Sequence, residues 1–256
     1  MAAEGARPVA ADLFCGAGGA SVGLGAHYDV RIALDVDPQA VEAYNANMGG
    51  NSAGRARLQN LRDVTAAARA IKDAVAPRVV QLLFASPPSS DFDRAGHNLE
   101  GADAALSVST LEIIRAVLPA VFVIESAPAF ARSETFKNCR RAAEAAGYHS
   151  AVFVANASLY GTPQARVRLI WVGSRTHCDM AAWYAAFRAT RGERATTVAD
   201  ALWPGLAPGE ERPFQLYYIT PRSVYRRGVF SVDYPAPTLR TSCGGLRSAG
   251  YEPRDA

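Results

Sequence analysis

The densest chemistry near the N-terminus is a glycine run at the end of an apolar stretch. Val9–Phe14 leads into Gly16, Gly18 and Gly19. Glycines placed after a strand let the backbone turn tightly and approach a ligand closely. Ligands of α/β sheets bind at the carboxyl ends of the strands, where this run falls. A second apolar stretch, Val30–Leu34, runs into Asp35 and Asp37, and Asp63 follows a short third segment. A carboxylate at the end of a second strand is placed to accept hydrogen bonds from ribose hydroxyls. Asp63 is placed to accept from an adenine amino group. A plain turn with solvated acids explains the glycines alone equally well. Asp35 and Asp37 as a metal pair is disfavoured, because no further carboxylates or histidines are spaced to complete a shell. Acids at two successive strand ends favour a nucleotide-type ligand.

Such residues need a rigid sheet to hold them, and the pattern from residue 8 to about 172 predicts one. Apolar runs at Val9–Phe14, Val30–Leu34, Val79–Ala85, Val121–Ile124, Ala151–Ala155 and Val167–Val172 alternate with helix-like segments. The helical segments are Ala40–Met48, Val64–Val75, Ala104–Leu118 and Glu134–Ala146. In the third, Leu106, Leu111, Ile114 and Leu118 repeat at helical spacing and predict its core face. The fourth stops at Gly147, a C-terminal cap. Alternating strands and helices predict right-handed crossovers and a doubly wound, mainly parallel α/β sheet. After Gly173 the rhythm ends, so residues 1–173 read as one domain and 174–256 as a smaller, irregular region.

Composition narrows the class without choosing a ligand. The 256 residues are 49% hydrophobic and 20% charged, with a net charge of +3. That is ordinary for a globular protein and permits a nucleic-acid partner without requiring one. No run of eighteen apolar residues predicts a membrane span, and the first residues lack the basic and apolar halves of a signal peptide. Cys15, Cys139, Cys178 and Cys243 form no C-x-x-C pair, which argues against a zinc site and a disulfide framework. An intracellular, reducing location is expected.

The string DLFCGAGG (12–19) resembles the first motif of the DNA cytosine-5 methyltransferase family. Further matches follow in that family's order: ALDVDPQAVEAYNAN (33–47), RDVT (62–65), SPPSSDFDRAG (86–96), IESAPAF (124–130) and YGTPQARVRL (160–169). The resemblance implies a Rossmann-like methyltransferase sheet, S-adenosylmethionine as cofactor and double-stranded DNA as partner, with the target cytosine flipped out of the helix. It places Phe14 beside the adenine and the Gly16–Gly18 backbone at the amino-acid end. It assigns Asp35 to the ribose, Asp63 to the adenine amino group, and Pro87 and Leu106 to the pocket wall. Val36 stands where some members carry an aromatic ring.

For catalysis, the resemblance implies a thiolate that adds to cytosine C6 and makes C5 nucleophilic. It also implies a carboxyl group, Glu125, at N3 and the exocyclic amine. Arg166 and Arg168 would hold the base and its phosphates with planar donor forks. Counting from Pro87 and Pro88, the family's cysteine falls on Ser89. A hydroxyl titrates far above a free thiol (roughly 8.5) and is less polarisable, so the classical step is expected to be impaired. His97 lies nearby on a loop, and Cys15 belongs to the cofactor loop. Three accounts of Ser89 stand open: a laboratory substitution, a natural loss leaving a binding or regulatory protein, or serine-based chemistry. Departures at Ser90, Asp93 and Ser126 favour natural loss.

The family places a target-recognition region after the paired arginines. TTVADALWP (196–204) and YPAPTLRTSCGG (234–245) resemble the borders of a short one. Arg222, Arg226, Arg227 and Arg240, interleaved with Tyr217, Tyr218 and Tyr225, fit DNA contacts or a solvated basic surface. Two returning motifs of the family are not found before Ala256, which raises the expectation of an incomplete cofactor wall, an exposed apolar edge and weak cofactor binding. A tRNA cytosine substrate is a rival, since one branch of the family is known for it.

Overall fold

In a parallel sheet covered on both faces, strands carry near-continuous apolar runs, and those runs here become the centre of a seven-stranded sheet. The computed structural model describes residues 6–48, 56–92, 100–176, 180–206, 210–219, 228–238 and 251–254. Asp93, Gly96, His97, Cys178, Arg222, Tyr225, Arg226, Arg227, Arg240 and Cys243 lie outside them.

The strands are β1 (Val9–Leu13), β2 (Asp29–Asp35), β3 (Ala56–Leu58), β4 (Leu82–Ala85), β5 (Val121–Ser126), β6 (His149–Asn156) and β7 (Val167–Ser174), in the order β3-β2-β1-β4-β5-β7-β6. β1, β2, β3, β4 and β5 pair in parallel with their neighbours, whereas β7 runs antiparallel to β5, Phe122 facing Gly173. The helices are α1 (Gly19–Leu24), α2 (Pro38–Met48), α3 (Val64–Val75), α4 (Ala102–Val117), α5 (Glu134–Ala145), α6 (Met180–Ala189) and α7 (Val198–Leu202). The expected α/β, mainly parallel, doubly wound class is what the chain forms.

Successive strand side chains point to opposite faces, and β1 shows how both are filled. Val9, Ala11 and Leu13 join the main core with Ile71 of α3, Ile114 of α4 and Phe136 of α5. Ala10 packs on the other face with Val30, Leu82 and Leu24, while Ala33, Tyr44 and Ala56 form a cluster beside Cys15. Asp12 shares that second face and is fully buried.

Helix ends follow local chemistry. Asp63 caps α3 by accepting the Ala66 N–H, and Ser133 caps α5 by accepting the Phe136 N–H. At the end of α5, Gly147 is left-handed, its N–H donates to the Glu144 carbonyl, and the Tyr148 N–H donates to the Ala143 carbonyl. That is the Schellman pattern, which favours glycine at this position. One expectation for α4 is corrected. Leu118 is 43% exposed and forms the left-handed cap of the helix. The buried face instead comprises Ala104, Ser107, Thr110, Leu111, Ile113 and Ile114, with Leu106 only half-buried.

Two compact units partition the chain: residues 1–154 with 169–183, and residues 155–168 with 184–256. This partition differs from a cut at 173, because 155–168 join the second unit and 174–183 the first. The second unit contains a three-stranded antiparallel sheet of β8 (Leu216–Ile219), β9 (Gly228–Ser231) and β10 (Tyr251–Arg254), in the order β10-β8-β9. Tyr217 and Tyr218 lie on β8. α7 begins with a capping box between Thr197 and Asp200, and Arg194 holds the Asp200 carboxylate as well. No helix among the described residues is long and apolar enough to cross a membrane.

Candidate active site

The first unit gathers most of the expected site residues at the carboxyl ends of four adjacent parallel strands, β2-β1-β4-β5. Phe14 follows β1 in the left-handed region (φ 58°), a conformation that costs a non-glycine residue energy and turns the chain sharply out of the sheet. Gly16 (φ 52°) and Gly18 (φ 99°) continue the turn. The Gly16 N–H donates to Asp35 Oδ2 at 2.9 Å, and the Asp37 N–H donates to Asp35 Oδ1 at 3.0 Å. Asp35 therefore holds the loop after β1 to the end of β2. A Cβ on Gly16 or Gly19 would meet no described atom within 4 Å, so the backbone there faces open space. A Cβ on Gly18 would lie 3.2 Å from the Tyr44 ring.

Asp63 is exposed, with Oδ1 engaged by the Ala66 N–H at 3.0 Å. Its capping role is thus real, and Oδ2 lies beside it. Val36, next to Asp35, is 62% exposed. Pro87 is buried two residues beyond the end of β4.

Ser89 is half-buried at the start of a 3-10 turn, Ser90–Phe92, and its carbonyl accepts the Phe92 N–H at 3.0 Å. Three anchors hold this turn. Phe92 is buried against Phe130 with ring centroids 4.8 Å apart. Asp91 Oδ2 accepts the N–H groups of Gly101, Asp103 and Ala104 at the start of α4. Asp103 returns the contact, its Oδ2 accepting the Ser90 N–H at 2.8 Å. The Ala104, Gly101 and Asp103 amides hold the Asp91 carboxyl below the usual carboxylate range. The sequence pattern does not mark either acid as part of the site; the available signal was Asp103 in the first turn of α4, where a carboxylate is favoured.

Glu125 is half-buried near the end of β5, opposite Ile170 of β7. Beside it Ser126 is 2% exposed, and its Oγ has no hydrogen-bond partner among the described residues. Arg166 and Arg168 fall in the second unit. Arg166 stands one residue before β7, and its carbonyl accepts the Ala157 N–H at 2.9 Å. Arg168 lies within β7, with Nη1 donating to the Val167 carbonyl at 2.8 Å. Both are half-buried.

Cys15 is buried, and burial, with Asp12 and Asp35 close by, pushes its thiol up to about 12. A thiol that stays protonated at neutral pH is a poor substitute for a catalytic thiolate. Among the described residues, no group of three or more His, Cys, Asp or Glu is placed to hold a metal ion.

Comparison with known proteins identifies the family and the fold. The profile of C-5 cytosine-specific DNA methylases matches residues 9–203. Type II methyltransferase M.HgiDI of Herpetosiphon aurantiacus is 30% identical over 231 residues, covering 90% of this chain and 70% of the relative. Type II methyltransferase M.HindV of Haemophilus influenzae is 28% identical over 231 residues, covering 90% and 71%. Among solved structures, S. pombe Dnmt2 methyltransferase superposes with a TM-score of 0.58 at 20% identity, over 78% of this chain and 61% of that one. A putative DNA modification methyltransferase from an E. coli prophage gives 0.58 at 19% identity, over 87% and 62%. These structures share the fold. The chain belongs to the C-5 cytosine-specific DNA methylase family.

Proposed function

We propose that this protein is built to bind S-adenosylmethionine and to act on C5 of cytosine in double-stranded DNA, with its nucleophilic step impaired by Ser89. The observation that carries the reading is the arrangement of Phe14–Gly18, Asp35, Pro87, Ser89 and Glu125 at the ends of four neighbouring parallel strands. The family match across residues 9–203 supports it.

The residues present fit the cofactor. Open space over Gly16 and Gly19 leaves room for a ligand against the backbone, and Asp35 keeps an acceptor surface at the end of β2. Phe14, Asp63, Pro87 and Leu106 complete the proposed wall. The bound cofactor would supply an electrophilic methyl group. Glu125 would hold a hydrogen bond to N3 and the exocyclic amine of a flipped cytosine, stabilising charge as a nucleophile adds to C6. Arg166 and Arg168 would orient the base and its phosphates, and residues 174–256 would contribute target recognition. At Ser89 a hydroxyl replaces the thiol that such an addition calls for, and little of it ionises near neutral pH.

A second reading has an observation in its favour. The turn around Ser89 is held by Asp91, Asp103 and Phe92, so the scaffold persists where the nucleophile differs. That suits a relative that binds cofactor or DNA without turnover. Labelled-methyl incorporation by Ser89→Cys into unmodified DNA and into tRNA, run side by side, separates the possibilities. Incorporation into DNA is expected; preference for tRNA would move the substrate to RNA, and incorporation into neither would favour the binding protein.

A further inference from the structure

The one buried carboxylic acid among the described residues lies under the glycine loop and has no part in the proposed chemistry. Asp12, fourth residue of β1, is fully buried on the α1/α2 face of the sheet. Its Oδ2 accepts a hydrogen bond from Ser21 Oγ of α1 at 2.6 Å, and Ser21 Oγ accepts one from the Tyr44 hydroxyl of α2 at 2.9 Å. Asp12 Oδ1 has no hydrogen-bond partner among the described residues. One turn further along α2, Asn47 Nδ2 donates to the Ala17 carbonyl at 2.9 Å. The Tyr44 ring also backs Gly18. Two residues of one helix, at i and i+3, therefore grip both the interior and the tip of the loop.

We propose that Asp12, Ser21, Tyr44 and Asn47 form a brace that holds the glycine loop in its cofactor-binding shape. The proposal rests on the reading of that loop as the S-adenosylmethionine site. These four are positioning residues, acting through the backbone of residues 14–18.

The ionisable groups facing Asp12 are Asp35 at the end of β2, Cys15 in the loop and Tyr44 on α2. The β4 residues beside it, Leu82–Ala85, carry no ionisable side chain. Burial first, then the Asp35 charge, pushes the Asp12 carboxyl up to about 6, against the opposing pull of the Ser21 bond. Above that pH the carboxylate accepts a charge-assisted bond from Ser21; below it a neutral acid accepts a weaker one. The brace should therefore loosen on acidification within a range where binding is measurable.

The test is calorimetric titration of the full chain with S-adenosylhomocysteine between pH 5 and 8, with thermal unfolding of the ligand-free protein measured alongside. Tyr44→Phe and Asn47→Ala should each bind about tenfold more weakly at pH 7.5, as expected for one lost positioning hydrogen bond. Asn47 is exposed, so its variant reports on the loop even if Tyr44→Phe is destabilised. Affinity of the unaltered protein should fall as pH drops through about 6, and in Asp12→Asn that step should vanish. Unchanged affinity in both Tyr44→Phe and Asn47→Ala, or an unaltered step in Asp12→Asn, overturns the brace and leaves the cofactor reading intact. No binding by the unaltered protein at any pH overturns both.

Discussion

Ser89 is half-buried at a turn held by Asp91, Asp103 and Phe92, so replacing its oxygen by sulfur should disturb little beyond the reacting atom. Ser89→Cys is accordingly expected to fold as the parent does, with a thermal midpoint within a few degrees. Cys15, buried and with its thiol pushed up to about 12, should not stand in for that group. Cys15→Ala in the Ser89→Cys background should leave any methyl transfer within about twofold, because it removes an inert core thiol. Asp12 makes a pH prediction. Its folded-state pKa of about 6 lies above the unfolded value, so its contribution to stability is fully present below pH ~4 and is lost as pH rises through about 6. Two units correspond to about 3 kcal/mol. Urea unfolding at pH 5 and pH 8 should show the parent losing about 1.4 kcal/mol relative to Asp12→Asn at the higher pH, the one unit of that shift lying between pH 5 and about 6; an equal difference at both would contradict the assignment. Gly16, Gly18 and Asp35 were legible because glycines after one strand and an acid at the end of the next suit a ligand, whereas Phe14 was marked only by the family resemblance. Asp12, Tyr44, Asn47 and Asp91 were not. Their roles depend on partners nine to thirty residues away, a separation that local spacing does not record.

At the level of elements, the pairing of β5 with β7 depends on a glycine that looks unremarkable in the sequence. Gly173 on β7 faces Phe122 of β5, and a Cβ there would come within 2.2 Å of the Phe122 ring. That ring also packs edge-on to Tyr148 and Trp171. Gly173→Ala should destabilise the first unit by about 1–3 kcal/mol, as overpacking does, measurable by chemical denaturation. The period of the hydrophobic pattern revealed α3 with its observed ends, and Gly147 marked the end of α5 correctly. It did not reveal α1, of six residues, or β3, of three, because both are shorter than the window a period needs. Leu118 misled for a related reason: it keeps helical spacing but sits at the cap, where the left-handed turn carries it to the surface. The antiparallel entry of β7 between β5 and β6 was also hidden, since pairing direction leaves no trace in local spacing.

At the scale of the whole chain, the order of six motifs identified the family before any contact was known, and the family profile spans residues 9–203. The second unit was less legible. Its strands are four residues each, and its first segment, 155–168, precedes β7's return to the first unit. The scaffold belongs to the cytosine-5 methylase family, and in the proposed function Ser89 is what restrains its chemistry. The most direct measurement is labelled-methyl incorporation into unmodified DNA by the parent, by Ser89→Cys, and by Ser89→Cys with Glu125→Gln. Little transfer is expected from the parent and a gain of at least about a hundredfold from Ser89→Cys. Adding Glu125→Gln should cost about 10²- to 10⁴-fold. Equal transfer by the parent and Ser89→Cys, or transfer indifferent to Glu125, would contradict the proposed function.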